Sequence, residues 1–301
     1  MSLNVLLVEC LQYIVDYRNW LAIFSTIILF VVFKKLVWTP FKLYVLAQCL
    51  PGVDLRKHGQ WAVVTGATNG IGKSYARALA GRGLDIVLIS RSDEKLEKVQ
   101  AELVKDYSCS VKTVQADFAR DDIYGRIRDE LAGLDIGVLI NNVGFSHNLC
   151  SILDFPDITI SEELVRVNCL PAVKMSFMVL PGMAAKRKGV IVNVSSCLAY
   201  LHLKEVSLYS ATKGYLYSLS NCMRVDCRNS GITIQTLTPG LTVTNLLNDL
   251  FTMAKDRKFA EMLAVTPDSL VSYALNTIGW ADTCEGHPKH WFIYGLLSFF
   301  V

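Results

Sequence analysis

At 301 residues the chain is long enough for one large α/β domain with appendages, or for two small domains. Its net charge is only +3 and its basic residues are scattered, with no Lys/Arg run or basic–aromatic ladder, which argues against a nucleic-acid partner. The 9 cysteines stand singly with no CxxC pair, a pattern that disfavours a zinc knuckle or a complete disulfide framework and suits free thiols in a reducing compartment.

The first 50 residues form a region of their own. Trp20–Phe33 carries no charge, Lys34 and Lys35 follow, and Leu36–Trp38 extend the apolar stretch. A membrane-spanning helix needs about 20 apolar residues, and flanking lysines can snorkel to the interface. A membrane anchor spanning about residues 20–38 is expected; a buried N-terminal helix is the other reading. Lys34, Lys35, Lys42, Arg56 and Lys57 lie on the C-terminal side against Arg18 before it, so the positive-inside rule puts the rest of the chain in the cytosol.

Trp61–Thr65 reads as a short buried strand, the glycines at 66, 70 and 72 as a turn, and Lys73–Ala80 as the start of a helix. The GxxxGxG spacing meets the needs of a dinucleotide site: a tight turn, close backbone approach to a pyrophosphate, and a helix N-terminus aimed at negative charge. A second strand, Asp85–Ile89, ends in Ser90–Arg91 where an NAD site usually places a carboxylate for the ribose 2′-hydroxyl. With Arg91 there to meet a 2′-phosphate, NADP(H) is the expected cofactor; the alternative is that Arg91 is a solvated surface residue.

Strands at Val111–Gln115 and Gly137–Ile140 alternate with helical segments at Glu94–Lys105 and Ile123–Leu131. That rhythm predicts an α/β fold, a doubly wound parallel sheet binding ligands at the strand C-terminal ends. Asp117 and Asn142 stand at such ends, and Asp117 serves either an adenine amino group or a helix N-cap. A further strand, "GVIVNVSS" (189–196), ends on Ser195 and Ser196, thirteen residues before Tyr209.

Here the chain closely resembles the short-chain dehydrogenase/reductase family. "TGATNGIG", "ADF", "NNVG", the Asn of "RVNC", the strand-end serine, "YSATK" and "TPGLTVT" occur in family order over roughly residues 58–250. The resemblance implies a single Rossmann-like domain over 58–287. It implies catalytic roles for Asn168, Ser196, Tyr209 and Lys213, with Ser196 and Tyr209 at the substrate. It also implies cofactor contacts from Gly66, Thr68, Asn69, Gly70, Ile71, Gly72, Arg91, Asp117, Asn142, Gly144, Tyr209, Lys213, Pro239, Gly240, Thr242 and Thr244. Positions four apart share a helix face, so Tyr209 and Lys213 point into one cleft. There a nearby ammonium is expected to lower the phenol's pKa toward operating pH, letting Tyr209 protonate a carbonyl oxygen. Ser196 polarises that oxygen, and Ser195 is read as structural.

The anchor, "WAVVTGATNGIGKSYA", "LISRS" and "NNVG" look most like the membrane-bound 17-beta-hydroxysteroid dehydrogenase type 3 and type 12 group, whose type 12 members reduce very-long-chain 3-oxoacyl-CoA. This implies an enzyme of the endoplasmic-reticulum membrane reducing a carbonyl on a lipid. The resemblance also raises pairing of two copies through the helix bearing Tyr209, which the sequence itself does not show. The choice between steroid and acyl-CoA stays open. Residues 245–287 are read as loop and helix over the substrate, with Leu246, Leu247, Leu250, Phe251, Met253, Phe259, Met262 and Leu263 apolar and Lys255, Arg257 and Lys258 suited to a CoA head group. The apolar tail 288–301 either packs on the domain or touches the bilayer. No histidine has a partner at metal-ligand spacing, and "NVSSC" lacks the elbow of a serine hydrolase. A catalytically silent, membrane-tethered binding protein is the alternative from another class; such relatives lose the tyrosine, which is present here.

Overall fold

The computed structural model describes residues 3–50, 52–146, 150–154, 157–201, 203–244 and 261–297. Short runs rich in Val, Ile and Leu become the central strands because each is buried on both faces of one sheet, while the edge strands Val111–Gln115 and Thr283–Cys284 are only partly buried. The strands are β1 (Trp61–Thr65), β2 (Asp85–Ser90), β3 (Val111–Gln115), β4 (Ile136–Asn141), β5 (Gly189–Val194), β6 (Ile232–Leu237) and β7 (Thr283–Cys284). All neighbours pair in parallel, in the order β3-β2-β1-β4-β5-β6-β7. The order reverses between β1 and β4, the crevice where doubly wound sheets bind ligands.

Alternation along the strands splits the core into two layers. Ala62, Val64, Ile86, Leu88, Val190 and Val192 face one side, packed with Tyr75 and Leu79 of helix α2 (Gly70–Ala80) and Leu96 and Val99 of α3 (Asp93–Tyr107). Val63, Val87, Ile89 and Ile191 face the other, against Ile127 of α4 (Tyr124–Leu131) and Met175, Val179 and Met183 of α6 (Leu170–Lys186), which follows α5 (Ile158–Asn168). Helix α7 (Ser207–Asp226) carries the Tyr–Lys pair. Helix α8 (Pro267–Asn276) buries Leu270, Val271, Ala274 and Leu275 in the same layer as α2. This part of the segment read from sequence as cover for the substrate is therefore core. Helix α9 (Pro288–Leu297) closes the described chain.

The N-terminal helix α1 (Leu3–Phe33) continues without a break to Cys49, widening to π-helical turns at Lys34–Trp38 and Lys42–Leu46. Pro40 lies between them; lacking an N–H, it removes a ladder bond, and such wider turns are a usual remedy. The stretch Asp16–Cys49 is long and apolar enough to cross a membrane, and its apolar window is not buried. Its last turns are docked on the domain. Leu43 and Ala47 are buried, Lys42 Nζ donates to Trp280 O (2.8 Å), and Tyr44 Oη donates to Glu285 Oε2 (2.9 Å). Gln48 Oε1 accepts from Asn276 Nδ2 (2.9 Å). Desolvation pushes the Glu285 carboxyl above the usual carboxylate range, opposed by bonds from its own backbone and from Tyr44. Tyr44→Phe is expected to destabilise the full chain by about 1.5–3 kcal/mol, the range for a hydrogen bond to a charged group. The melting temperature in detergent should fall by a few degrees; an unchanged value would mean that this contact holds nothing.

Candidate active site

The crevice is built first from glycines. After β1, Gly66 takes φ +64° and its N–H donates to Ile89 O (2.8 Å), turning the chain back toward α2. Asn69 caps that helix, its side chain accepting from Gly70 N (2.7 Å). At Gly72 a Cβ would stand 2.3 Å from Gly66 O and 2.5 Å from Asn142 Nδ2, so helix and strand approach closer than any side chain permits. Asn142 braces this loop, donating from Nδ2 to Thr65 O (2.9 Å) and Gly66 O (3.2 Å). Thr65 Oγ1 accepts from the backbone N–H groups of Asn142 (3.0 Å) and Val143 (3.1 Å).

Beside the loop, Thr68 Oγ1 lies 3.0 Å from Ser90 Oγ at the end of β2, and Arg91 is exposed next to it. Ile71 is half-buried in the first turn of α2. Asp117 is exposed beyond β3 and its Oδ1 accepts from Ala119 N (3.1 Å) in a short turn; it caps no helix, since the next one, Tyr124–Leu131, has Ile123 at its N-cap.

The second half gathers around α7. Tyr209 and Lys213 are both buried on its inner face. Lys213 Nζ donates to Val194 O (3.1 Å) at the end of β5 and sits over the Tyr209 ring, 5.6 Å from its centroid. Ser195 Oγ donates to Lys213 O (2.7 Å), a structural tie. Ser196 stands beside the phenol of Tyr209, and its Oγ accepts from Leu198 N (3.2 Å). Asn168 stands at the end of α5, where it accepts from Phe145 N (2.9 Å) and donates to Phe145 O (2.9 Å) and Thr212 Oγ1 (3.0 Å). A Cβ on Gly144 would meet both Asn168 Oδ1 (3.1 Å) and Lys213 Nζ (3.3 Å), so the loop after β4 joins the two groups.

The expected lowering of the Tyr209 pKa is corrected here. Burial pushes the phenol well above its ordinary range, and the neighbouring Ser196 hydroxyl offsets only part of that. The lysine approaches the face of the ring, and its hydrogen bond goes to Val194 O. The site therefore holds Tyr209 as a neutral phenol, the form that can give a proton. Burial pushes Lys213 down to about 8.

A lysine whose folded-state pKa lies below its unfolded value leaves the unfolded chain the stronger proton binder between the two. Stability of the free protein therefore rises as pH climbs from about 8 toward the ordinary lysine value. At neutral pH the burial costs about 3 kcal/mol, at 1.36 kcal/mol per pKa unit. Lys213→Met is accordingly expected to raise the cofactor-free melting temperature at pH 7 by several degrees, with the gain shrinking toward pH 10. A lower melting temperature would contradict this.

One further segment borders the crevice. Cys197 N donates to Pro239 O (3.0 Å), and Gly240 N donates to His290 Nδ1 (3.2 Å). Thr242 Oγ1 donates to Gly240 O (3.0 Å), while Thr242 pairs with Val265. A Cβ on Gly70 would come within 2.9 Å of Thr244 Cγ2. The sequence-predicted residues thus fall into two groups on one crevice, the glycine loop with Asn142 and the Ser196–Tyr209–Lys213–Asn168 cluster, with 239–244 beside both. Thr65, His290 and Tyr294 were not found by reading the sequence; Thr65 is an ordinary strand residue there, and the other two lie some fifty residues beyond the turn they touch. His147, His202 and the apolar and basic residues picked out between 246 and 259 lie outside the described residues.

Residues 60–255 match the family profile described as short chain dehydrogenase. The chain is similar to very-long-chain 3-oxoacyl-CoA reductase of Bos taurus, 41% identical over 234 residues that cover 77% of this chain and 72% of the relative. It is also similar to 17-beta-hydroxysteroid dehydrogenase type 3 of Homo sapiens, 41% identical over 255 residues, 83% of this chain and 78% of the relative. Among solved structures, a short-chain dehydrogenase from Sphingobium yanoikuyae in complex with NADPH superposes with a TM-score of 0.66 at 27% identity, covering 72% of this chain and 83% of the other.

Proposed function

The chain belongs to the short-chain dehydrogenase/reductase family and is an oxidoreductase, and from that premise we propose that it reduces a carbonyl on a lipid substrate, a 3-oxoacyl-CoA or a 17-ketosteroid, using NADPH with Tyr209 as general acid. The observation that carries this reading is the buried phenol of Tyr209 beside Ser196, with Lys213 over its ring, on the crevice that the glycine loop opens.

The crevice suits an NADP-type dinucleotide. The left-handed turn at Gly66 and the N-terminus of α2 fit a pyrophosphate. Ser90 and Arg91 leave no carboxylate to repel a 2′-phosphate, and the exposed guanidinium would meet one. In this reading Asp117 would meet the adenine end, and Pro239, Gly240, Thr242 and Thr244 would flank the nicotinamide end together with Lys213. NADPH, when bound, supplies the hydride that ends on the carbonyl carbon. Ser196 donates to the carbonyl oxygen, and Tyr209 transfers its proton to the same oxygen as negative charge grows there. Asn168, tied to Phe145 and Thr212, fixes the cluster and holds a water on the path that resupplies the proton.

The helix through residues 20–38 anchors the protein in the endoplasmic-reticulum membrane with the domain in the cytosol, consistent with lysines 34, 35 and 42 on the domain side. Exposed Phe177 on α6 and Tyr215 on α7 suit pairing of two copies across these helices; light scattering of the detergent-solubilised chain should give a dimer mass, and a monomer would refute the pairing. The activity is tested by NADPH oxidation in membranes carrying the protein, offered 3-oxoacyl-CoA and 17-ketosteroids side by side. Turnover of either supports the proposal; cofactor binding with turnover of neither would overturn it.

A further inference from the structure

We propose that His290, together with Tyr294, is a positioning residue that fixes the wall of the cofactor crevice from behind. The wall is the segment 239–244. It begins where Cys197 N binds Pro239 O, one residue from Ser196, and ends where Thr244 meets Gly70 of the glycine loop. It therefore runs from the proton donors toward the dinucleotide turn, along the part of the crevice that would take the nicotinamide half, and its displacement would be felt there.

Within the segment Thr242 Oγ1 donates to Gly240 O (3.0 Å), and from the far side Val265 N donates to Leu241 O (3.0 Å). Between the end of β6 and the bridge from Thr242 to Val265, the backbone of Gly240 and Leu241 is bonded to α9. Gly240 N donates to His290 Nδ1 (3.2 Å), His290 Nε2 donates to Leu241 O (3.0 Å), and Leu241 N donates to Tyr294 Oη (3.2 Å). A backbone N–H can only donate, so Nδ1 is the acceptor and Nε2 carries the proton, and one neutral tautomer serves both bonds. Glu285 O lies 3.3 Å from the same Nδ1. His290 is completely buried, and a Cβ on Gly240 would strike the Tyr294 hydroxyl, so turn and ring are in direct contact. Tyr294 also packs with Cys197 and Leu201, placing α9 under the serine segment as well as under the turn. Neither ring reaches the crevice itself; both act through the backbone of 240–241.

This inference rests on the dinucleotide reading of the crevice, and the test separates the two. The full-length chain in detergent is titrated with NADPH and with adenosine 2′,5′-bisphosphate, which has the adenosine end and lacks the nicotinamide half. His290→Phe keeps a ring but loses both backbone bonds. It should weaken NADPH about tenfold, the scale of one lost buried hydrogen bond, and leave the bisphosphate within about twofold. Tyr294→Phe, which loses only a hydroxyl, should show the same selectivity at about threefold. The KM for NADPH should rise in parallel in both variants. Equal weakening of both ligands would mean a merely structural role and overturn the proposal, as would unchanged NADPH binding. Should His290→Phe fail to fold, the Tyr294→Phe comparison decides by the same criteria. If the wild-type chain binds neither ligand, the cofactor reading itself falls and takes this proposal with it.

Discussion

Tyr209→Phe is expected to lower kcat for carbonyl reduction by about 10³-fold, within the range that general acid–base catalysis contributes, and to leave NADPH affinity within about twofold. The substitution removes one hydroxyl and preserves the ring. Lys213 keeps its bond to Val194 O and its place over the ring, and Ser195 keeps its tie to Lys213 O. What disappears is the phenol hydroxyl beside Ser196, the proposed proton donor. Because burial already keeps the phenol protonated, wild-type reduction needs no prior ionisation of this residue, and nothing else in the described cluster can replace it. Lys213 is held on the wrong side of the ring, and Asn168 is occupied by Phe145 and Thr212. Single-turnover NADPH oxidation measures the effect directly. Near-normal turnover in the variant would reject Tyr209 as the acid.

Gly72→Ala is expected to be the most damaging conservative change in the glycine loop. The added methyl would meet Gly66 O at 2.3 Å and Asn142 Nδ2 at 2.5 Å, and the first of these is backbone in a turn that cannot move without disturbing β1. Overpacking of this kind costs about 3 kcal/mol, the upper end of the usual range. Relief requires α2 to slide away from the strand, which opens the turn meant for a pyrophosphate, so NADPH affinity should fall by about 100-fold as well, the equivalent of about 2.8 kcal/mol. Gly125 in α4 is the control: a Cβ there meets nothing within 4 Å, and Gly125→Ala should stabilise the helix by up to about 1 kcal/mol. Thermal unfolding of both variants alongside NADPH titration checks the pair. Equal melting temperatures for Gly72→Ala and wild type would show that the loop has slack.

The central strands were legible because they are buried on both faces, so Trp61–Thr65, Asp85–Ser90 and Gly189–Val194 each appear in one dimension as a short, mostly apolar run, whereas Ile232–Leu237 and the two-residue strand Thr283–Cys284 were not read from the sequence. The Tyr209–Lys213 pair and the serine before it were legible for a similar reason: they lie within one strand, one turn and one helix, close in sequence as in space. The charge state of Tyr209 was not, since it depends on how deeply α7 is buried and on which side of the ring the ammonium lies. Helix α8 has the same apolar periodicity whether it covers a substrate or packs on α2, and only its neighbours decide. The docking of Tyr44 on Glu285 and of His290 on Gly240 joins residues 241 and 50 positions apart, and no local pattern marks either.

Hydride transfer itself is the most direct test. The full chain in membranes is given NADPH deuterated at the transferable position of C4 and a 3-oxoacyl-CoA or 17-ketosteroid, and the hydroxyl product is weighed by mass spectrometry. One deuterium on the carbinol carbon is the predicted result. Product formed without deuterium, or no product from a protein that demonstrably binds NADPH, would contradict the assignment.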